Sequence, residues 1–221
     1  MRILITAATA AELLPAREIL EKIQNQEDNH LYITVVETGI GCTATAYHTL
    51  KALTAADKPY DLVVNTGIAG SLRDSLPIGS AVRVMSDYFG DCGVQTASGF
   101  ESLFDARLLG ADTFPFTSGR LRPNPLPAAW EYAAAPIPLA EGVTVQHLVE
   151  TGLSATPAAP SAQVETMEGA AFFYVCLLEG IPCMALRTIS NKAGERDKTK
   201  WDIPFALSEL RKAINAFIYK L

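Results

Sequence analysis

Cysteine and histidine are scarce in this chain, and the few present are scattered. Among 221 residues there are four cysteines, Cys42, Cys92, Cys176 and Cys183, with no C-x-x-C spacing, and three histidines, His30, His48 and His147, far apart from one another. This pattern suggests neither a zinc site nor a disulfide framework, and the expectation is reduced thiols and no bound metal. Basic charge is also short. Eighteen Lys and Arg against 24 Asp and Glu give a formal net charge of -6, and the cations are spread along the chain. A phosphate-backbone footprint for DNA or RNA is therefore missing. No apolar run reaches the roughly 20 residues that cross a bilayer, and the N-terminus opens on a strand pattern instead of a charged n-region and an apolar h-region. The sequence is thus read as a cytoplasmic protein with neither membrane nor nucleic-acid partners. Linkers, internal repeats and low-complexity segments are missing too. With 49% hydrophobic and 19% charged residues, the chain is expected to form one α/β domain over residues 1–221.

What the chain does have is organised around Val164-Glu165-Thr166-Met167-Glu168-Gly169-Ala170-Ala171. Two carboxylates stand astride a Met, and the stretch runs on to Leu178 as a segment apolar on every side, which predicts a buried helix. Acids at the mouth of such a helix have a structural reading, in which Thr166 caps the helix and Glu168 sits in its first turn. They also have a functional one. Gly169-Ala170-Ala171 removes side-chain bulk where a ligand could approach, and a carboxylate beside that gap accepts two hydroxyl hydrogen bonds at once, the requirement for gripping a ribose 2′,3′-diol.

In chain order, Arg2–Ala7 is an apolar run suited to a strand buried on both faces, followed by a helical pattern through Leu20 and Ile23. Thr9 and Glu12 have capping-box spacing. Pro15 argues instead for a helix start nearer Leu14, which would leave Glu12 hanging free at the carboxyl end of the strand. Further strands are predicted at Leu31–Val36, Asp61–Thr66, Ser80–Met85 and Gly142–Val149, with a helix from Thr43 to about Ala55. Gly39-Ile40-Gly41 and Gly67-Ile68-Ala69-Gly70 are read as turns at strand ends. In an open parallel sheet the ligand crevice lies outside the carboxyl ends of the strands, so these turns and Glu12 should converge there. From Asp87 to about Pro138 periodicity fades into Pro-rich chain, read as a flap or an oligomer contact. His147 is read as a half-buried strand residue. A final strand, Pro182–Ser190, ends in Asn191; the charged run Glu195–Lys200 reads as solvated surface, and an amphipathic helix from about Ile203 to Tyr219 covers the sheet through Phe205, Leu210, Ile214 and Phe217.

The Glu12 turn, Thr66-Gly67-Ile68-Ala69-Gly70, Glu165-Thr166-Met167-Glu168-Gly169-Ala170-Ala171 and Arg187-Thr188-Ile189-Ser190-Asn191 together resemble the purine nucleoside phosphorylase and nucleosidase superfamily. Ser190-Asn191 followed by Arg196-Asp197-Lys198-Thr199-Lys200-Trp201-Asp202-Ile203-Pro204 resembles the futalosine hydrolases of the menaquinone pathway within it. The resemblance implies a three-layer α/β/α sandwich around a mixed, mostly parallel sheet. It also implies cleavage by water of the C1′–N9 bond of futalosine, releasing hypoxanthine, without cofactor and in a homodimer or larger homo-oligomer. Residue chemistry asks for the same parts. An oxocarbenium-like transition state needs a carboxylate for the water, a grip on the sugar and stabilisation of the departing base, for which Glu12, Glu168 and Asn191 are suited. By resemblance Met167 packs on the sugar, Gly67 and Ile68 touch the nucleoside, and Glu165 remains a first-turn structural acid. The span Gly152–Glu165 offers no base-stacking aromatic of the kind methylthioadenosine nucleosidases carry. Three rival readings stand beside this one: a methylthioadenosine or adenosylhomocysteine nucleosidase, with Asp where this chain has Asn191; a phosphorylase, which would need arginines such as Arg73 or Arg83 at phosphate-facing turns; and an idle nucleoside-binding protein, which should have lost Glu12 or Glu168.

Overall fold

A computed structural model describes residues 1–24, 31–148 and 161–221. The chain opens with β1 (Arg2–Ala7), α1 (Ala10–Gln24), β2 (Tyr32–Glu37), α2 (Cys42–Thr54), β3 (Leu62–Ser71) and β4 (Ala81–Ser86). Two short hairpins follow, β5 (Gly93–Thr96) with β6 (Gly99–Ser102) and β7 (Phe116–Thr117) with β8 (Arg120–Leu121), and then α3 (Ala128–Ala134). The last part holds β9 (Leu139–Thr144), β10 (Val164–Thr166), α4 (Gly169–Leu178), β11 (Cys183–Lys192) and α5 (Ile203–Ile218).

Seven strands form one sheet in the order β10-β9-β4-β11-β3-β1-β2, mostly parallel, with β4 antiparallel to β11. An additional antiparallel pairing of β10 with β3 joins the first strand of that order to the fifth, closing β3, β11, β4, β9 and β10 into a circuit from which β1 and β2 extend. The layers follow from strand alternation. Ile3, Ile5, Leu62, Val64, Met184 and Leu186 face one way and pack with Leu13, Ile19, Leu210, Ile214 and Phe217 of α1 and α5. Leu4, Val63, Val82, Val84 and Ala185 face the other way, toward Phe172, Phe173 and Cys176 of α4. The result is the expected three-layer α/β/α arrangement.

Several sequence expectations are corrected. Gly67–Gly70 is not a turn but lies inside β3, which runs ten residues. α1 begins at Ala10 with Pro15 inside it, so the later start is wrong. The chain from Asp87 to Pro138 carries the two hairpins and α3, and Phe116 and Phe104 stack inward against each other at 5.2 Å while Phe116 also meets Tyr174, leaving Phe114 as the outward ring. The strand expected to reach Val149 stops at Thr144, and His147 is exposed, its backbone N–H bonded to Asp91. Phe205 is also largely exposed, and α5 covers the sheet with Ala206 and Ile218 instead. Residues 152–160 of the span that lacks a stacking aromatic, and His30, lie outside the described residues.

Candidate active site

The carboxyl ends of β1, β3 and β11 and the β10–α4 corner surround a cavity of about 310 Å³ lined by Glu12, Ile68, Met167, Glu168 and Asn191. Gly67 does not line it. Its role is clearance: a Cβ there would stand 2.7 Å from Glu12 Oε1 and 4.0 Å from Arg187 Cζ, so glycine leaves the Glu12 carboxylate its place against β3.

Glu12 is held in a reciprocal capping box. Its Oε2 accepts from Thr9 N at 3.1 Å and Thr9 Oγ1 at 2.8 Å, while Glu12 N donates to Thr9 Oγ1 at 3.4 Å. The capping reading of the sequence is thus correct, and Glu12 does not hang free. Yet capping uses only one oxygen. Oε1 accepts from Ile68 N at 2.9 Å, leaving that oxygen one lone pair on the cavity side. Glu168 stands at the start of α4 but turns its side chain away from the helix, with Oε1 accepting from Gly41 N at 3.0 Å and Oε2 from Met167 N at 3.2 Å. Each oxygen keeps one acceptor position. Thr166 Oγ1 does the capping instead, receiving Gly169 N at 3.2 Å.

Between the two acids lies Arg187, buried to 2% exposure. Its Nη1 donates to the carbonyls of Asn65 and Leu186, each at 2.9 Å, and its Nη2 donates to Asn65 Oδ1, so three of its N–H groups are committed to the protein. What it offers the cavity is charge, felt by Glu168, Glu12 and Asp87. Burial still raises the Glu168 carboxyl above its ordinary range, with Glu12 adding to the rise while the Gly41 and Met167 N–H groups and Arg187 oppose it. Cys42, whose Sγ lies 3.7 Å from Met167 O, is no nucleophile: burial first, then Asp87, Glu168 and Asp91, push its thiol up to about 12.

Asn191 sits at a bulge in β11 and is 7% exposed. Its Oδ1 accepts from Ser190 Oγ at 2.8 Å and its Nδ2 donates to Lys192 O at 2.9 Å, which leaves one acceptor and one donor position on the amide. The two arginines that kept a phosphorylase reading open are not at the cavity: Arg83 is engaged by Glu131 at 2.6 and 2.8 Å, and Arg73 lines a different depression. Among the described residues no cluster of His, Cys, Asp and Glu is arranged for a metal ion.

The phosphorylase superfamily model matches residues 2–221. This chain belongs to the phosphorylase superfamily. Within it the chain is 35% identical over 159 residues to a futalosine hydrolase of Streptomyces coelicolor, a match covering 71% of this chain and 65% of that protein. It is 32% identical over 189 residues to a futalosine hydrolase of Thermus thermophilus, covering 83% of this chain and 80% of that one. The fold is shared with the solved futalosine hydrolase of Helicobacter pylori, at a TM-score of 0.79 and 19% identity over 100% of this chain and 98% of that one. It is shared equally with a 5′-methylthioadenosine/S-adenosylhomocysteine nucleosidase of Neisseria meningitidis solved with methylthio-immucillin-A, at a TM-score of 0.78 and 19% identity over 100% and 99% of the two chains.

In this superfamily member three cavity features went unread in the sequence. Glu165 is not a first-turn acid; it lies on β10, half-buried, and lines the cavity. Glu195, Arg196 and Trp201 belong to the cavity wall and not to solvated surface, with Trp201 Nε1 donating to Glu195 O at 3.0 Å. Arg187 is a buried cation whose charge reaches Glu12 and Glu168. Its signal was available: an Arg in the middle of an otherwise apolar strand is buried only where acids from other segments meet it.

Proposed function

We propose that this protein is a nucleosidase that hydrolyses the bond between C1′ and N9 of a 6-oxopurine nucleoside, with futalosine as the substrate and hypoxanthine as the released base. The observation that carries the reading is the pattern of open acceptor positions on two carboxylates in one cavity. Glu12 has one free lone pair, on the oxygen facing the cavity, which is the arrangement that orients and deprotonates a single water. Glu168 has one free on each oxygen, which is the arrangement that receives two vicinal hydroxyls. Met167, between Glu168 and the cavity wall, packs on the sugar face, and Ile68 presents an apolar side chain to the nucleoside. Asn191 meets the departing base: its open carbonyl position accepts from a protonated N7 while its open N–H donates to O6. An amide supplies no proton, so N7 takes its proton from solvent, and Asn191 holds the protonated form.

The futalosine hydrolase relatives support water as the acceptor. We further infer one nucleosidase domain over residues 1–221 acting as a homo-oligomer, for which the exposed Leu108 and Phe114 supply apolar contact surface, and a cytoplasmic setting, which suits four free thiols. No described helix is long and apolar enough to cross a membrane. The decisive experiment incubates the protein with futalosine, inosine, methylthioadenosine and adenosylhomocysteine, each with and without phosphate, and separates the products. Free hypoxanthine from futalosine without phosphate is expected. Turnover only with phosphate, or adenine release from methylthioadenosine as the dominant reaction, overturns the assignment.

A further inference from the structure

The register of the closing strands places Glu165 and Asn191 on either side of one residue. Glu165 of β10 pairs with Gly70 of β3, and Asn191 of β11 pairs with the same Gly70 from the opposite edge. Cross-strand partners share a face of the sheet, so both side chains stand at the cavity, and Gly70 itself puts no side chain between them. The space above Gly70 is taken by Ala193: a Cβ at Gly70 would lie 3.2 Å from Ala193 Cα and 3.3 Å from its Cβ, and Ala193 N donates to Ser71 O at 2.8 Å. The loop after β11 thus crosses β3 at Gly70 and carries Arg196, which Glu165 feels, onto the cavity wall.

There the two charges remain unspent. The Nη2 of Arg196 is buried and has no hydrogen-bond partner. Arg196 and Glu165 feel each other electrostatically, and among the described residues no direct ion pair joins them. Among the described residues of the wall Arg196 is the one cation, beside Glu12, Glu165, Glu168 and Glu195. A buried donor without an acceptor and a half-buried acceptor without a donor, side by side, leave space for a ligand edge that supplies both.

Resting on the nucleosidase reading, we propose that Glu165 and Arg196 read the N1–C6 edge of the base, Glu165 accepting from N1–H and Arg196 donating to O6. Their chemistry is unambiguous in sign, because a carboxylate only accepts and a guanidinium only donates. A 6-oxopurine presents a donor at N1 and an acceptor at C6, matching both. A 6-aminopurine presents an acceptor at N1 and a donor at C6, opposing both. Selection against adenine is therefore shared among three side chains, two of them outside the strand that bears Asn191.

The test measures binding of hypoxanthine and adenine by calorimetry, then kcat/KM for futalosine and its 6-amino analogue, with the native protein and with Glu165→Gln and Arg196→Gln. Each Gln offers both a donor and an acceptor, so each variant should lower the hypoxanthine-over-adenine ratio about tenfold or more, in binding and in kcat/KM alike, with melting temperature little changed. Loss of activity on both bases with the ratio unchanged overturns the proposal, since that is what a merely structural role produces. Free bases bind whether or not the protein hydrolyses nucleosides. Absent turnover with an intact, Glu165-dependent preference for hypoxanthine would remove the hydrolase reading alone; turnover with an indifferent ratio would remove the base reader alone.

Discussion

Replacing Asp87 by Asn isolates a single buried carboxyl and turns its surroundings into a measurable quantity. Asp87 has no exposure; its Oδ1 accepts from Tyr88 N at 2.7 Å and from Thr144 Oγ1 at 3.0 Å, while Oδ2 has no partner. Glycines make the room for it, because a Cβ at Gly169 would come within 2.2 Å of Oδ2 and one at Gly142 within 2.8 Å. Burial pushes the carboxyl from 3.8 to about 7; the two hydrogen bonds and Arg187 pull the other way, and Glu168 adds to the rise. A shift of about 3 units is worth about 4 kcal/mol at about 1.4 kcal/mol per unit. The sign follows from proton counting. Between these two values the folded chain holds a proton that the unfolded chain has released, so the stabilisation is complete below about pH 4 and is lost as pH rises through about 7. The variant keeps an acceptor for Tyr88 and Thr144 but has no proton to lose. Urea unfolding of both proteins from about pH 5 to about pH 8 should show the native protein losing about 3 kcal/mol relative to Asp87→Asn over that interval. Parallel curves would refute the argument that burial keeps Asp87 neutral.

Glu12→Gln should lower kcat by about 10²–10⁴-fold while leaving substrate binding nearly intact, because the amide keeps the contact to Ile68 but takes no proton; a kcat above a tenth of native would reduce Glu12 to a cap. Glu168→Ala should damage KM and kcat together, and the native protein should discriminate against 2′-deoxy substrates; equal activity on both sugars would remove the diol grip. Gly67→Ala, which must displace the Glu12 carboxylate 2.7 Å away, should mimic much of the Glu12→Gln defect in initial-rate assays without contacting substrate. Asn191→Asp should shift preference from futalosine toward its 6-amino analogue, and an unchanged kcat/KM ratio would show that Asn191 does not read the base.

Much of the architecture was legible because its carriers are local. The apolar runs at Arg2–Ala7 and Pro182–Ser190 and the all-round apolar segment after Glu168 announce buried strands and a buried helix without help from the rest of the chain. Glu12 and Glu168 were legible because acids beside buried elements are rare enough to ask for a reason. The glycines of β3 were misread because Gly signals a turn and a close approach with the same letter, and only the position of the Glu12 and Arg187 side chains decides between them. Asp87 was invisible for a related reason: what makes it unusual arrives from Thr144, Gly142 and Gly169, all distant in sequence. Arg196 hid in a run of charges that looks like solvated loop until the crossing over Gly70 turns it inward.

The three-residue strand β10 is paired on both sides, and its bond to β3 joins Val164 to Ser71, 93 positions earlier in the chain (164 − 71). Bringing such distant segments together costs chain entropy that helices, built from near neighbours, do not incur. The Met167–Glu168 corner follows directly on β10, so the proposed sugar grip takes shape only when that last circuit of strands closes. During refolding, helical signal should therefore return ahead of catalytic competence. An N-terminal fragment ending after β4 would carry Glu12, Ile68 and the Gly41 N–H, and it would hold a water site facing no sugar.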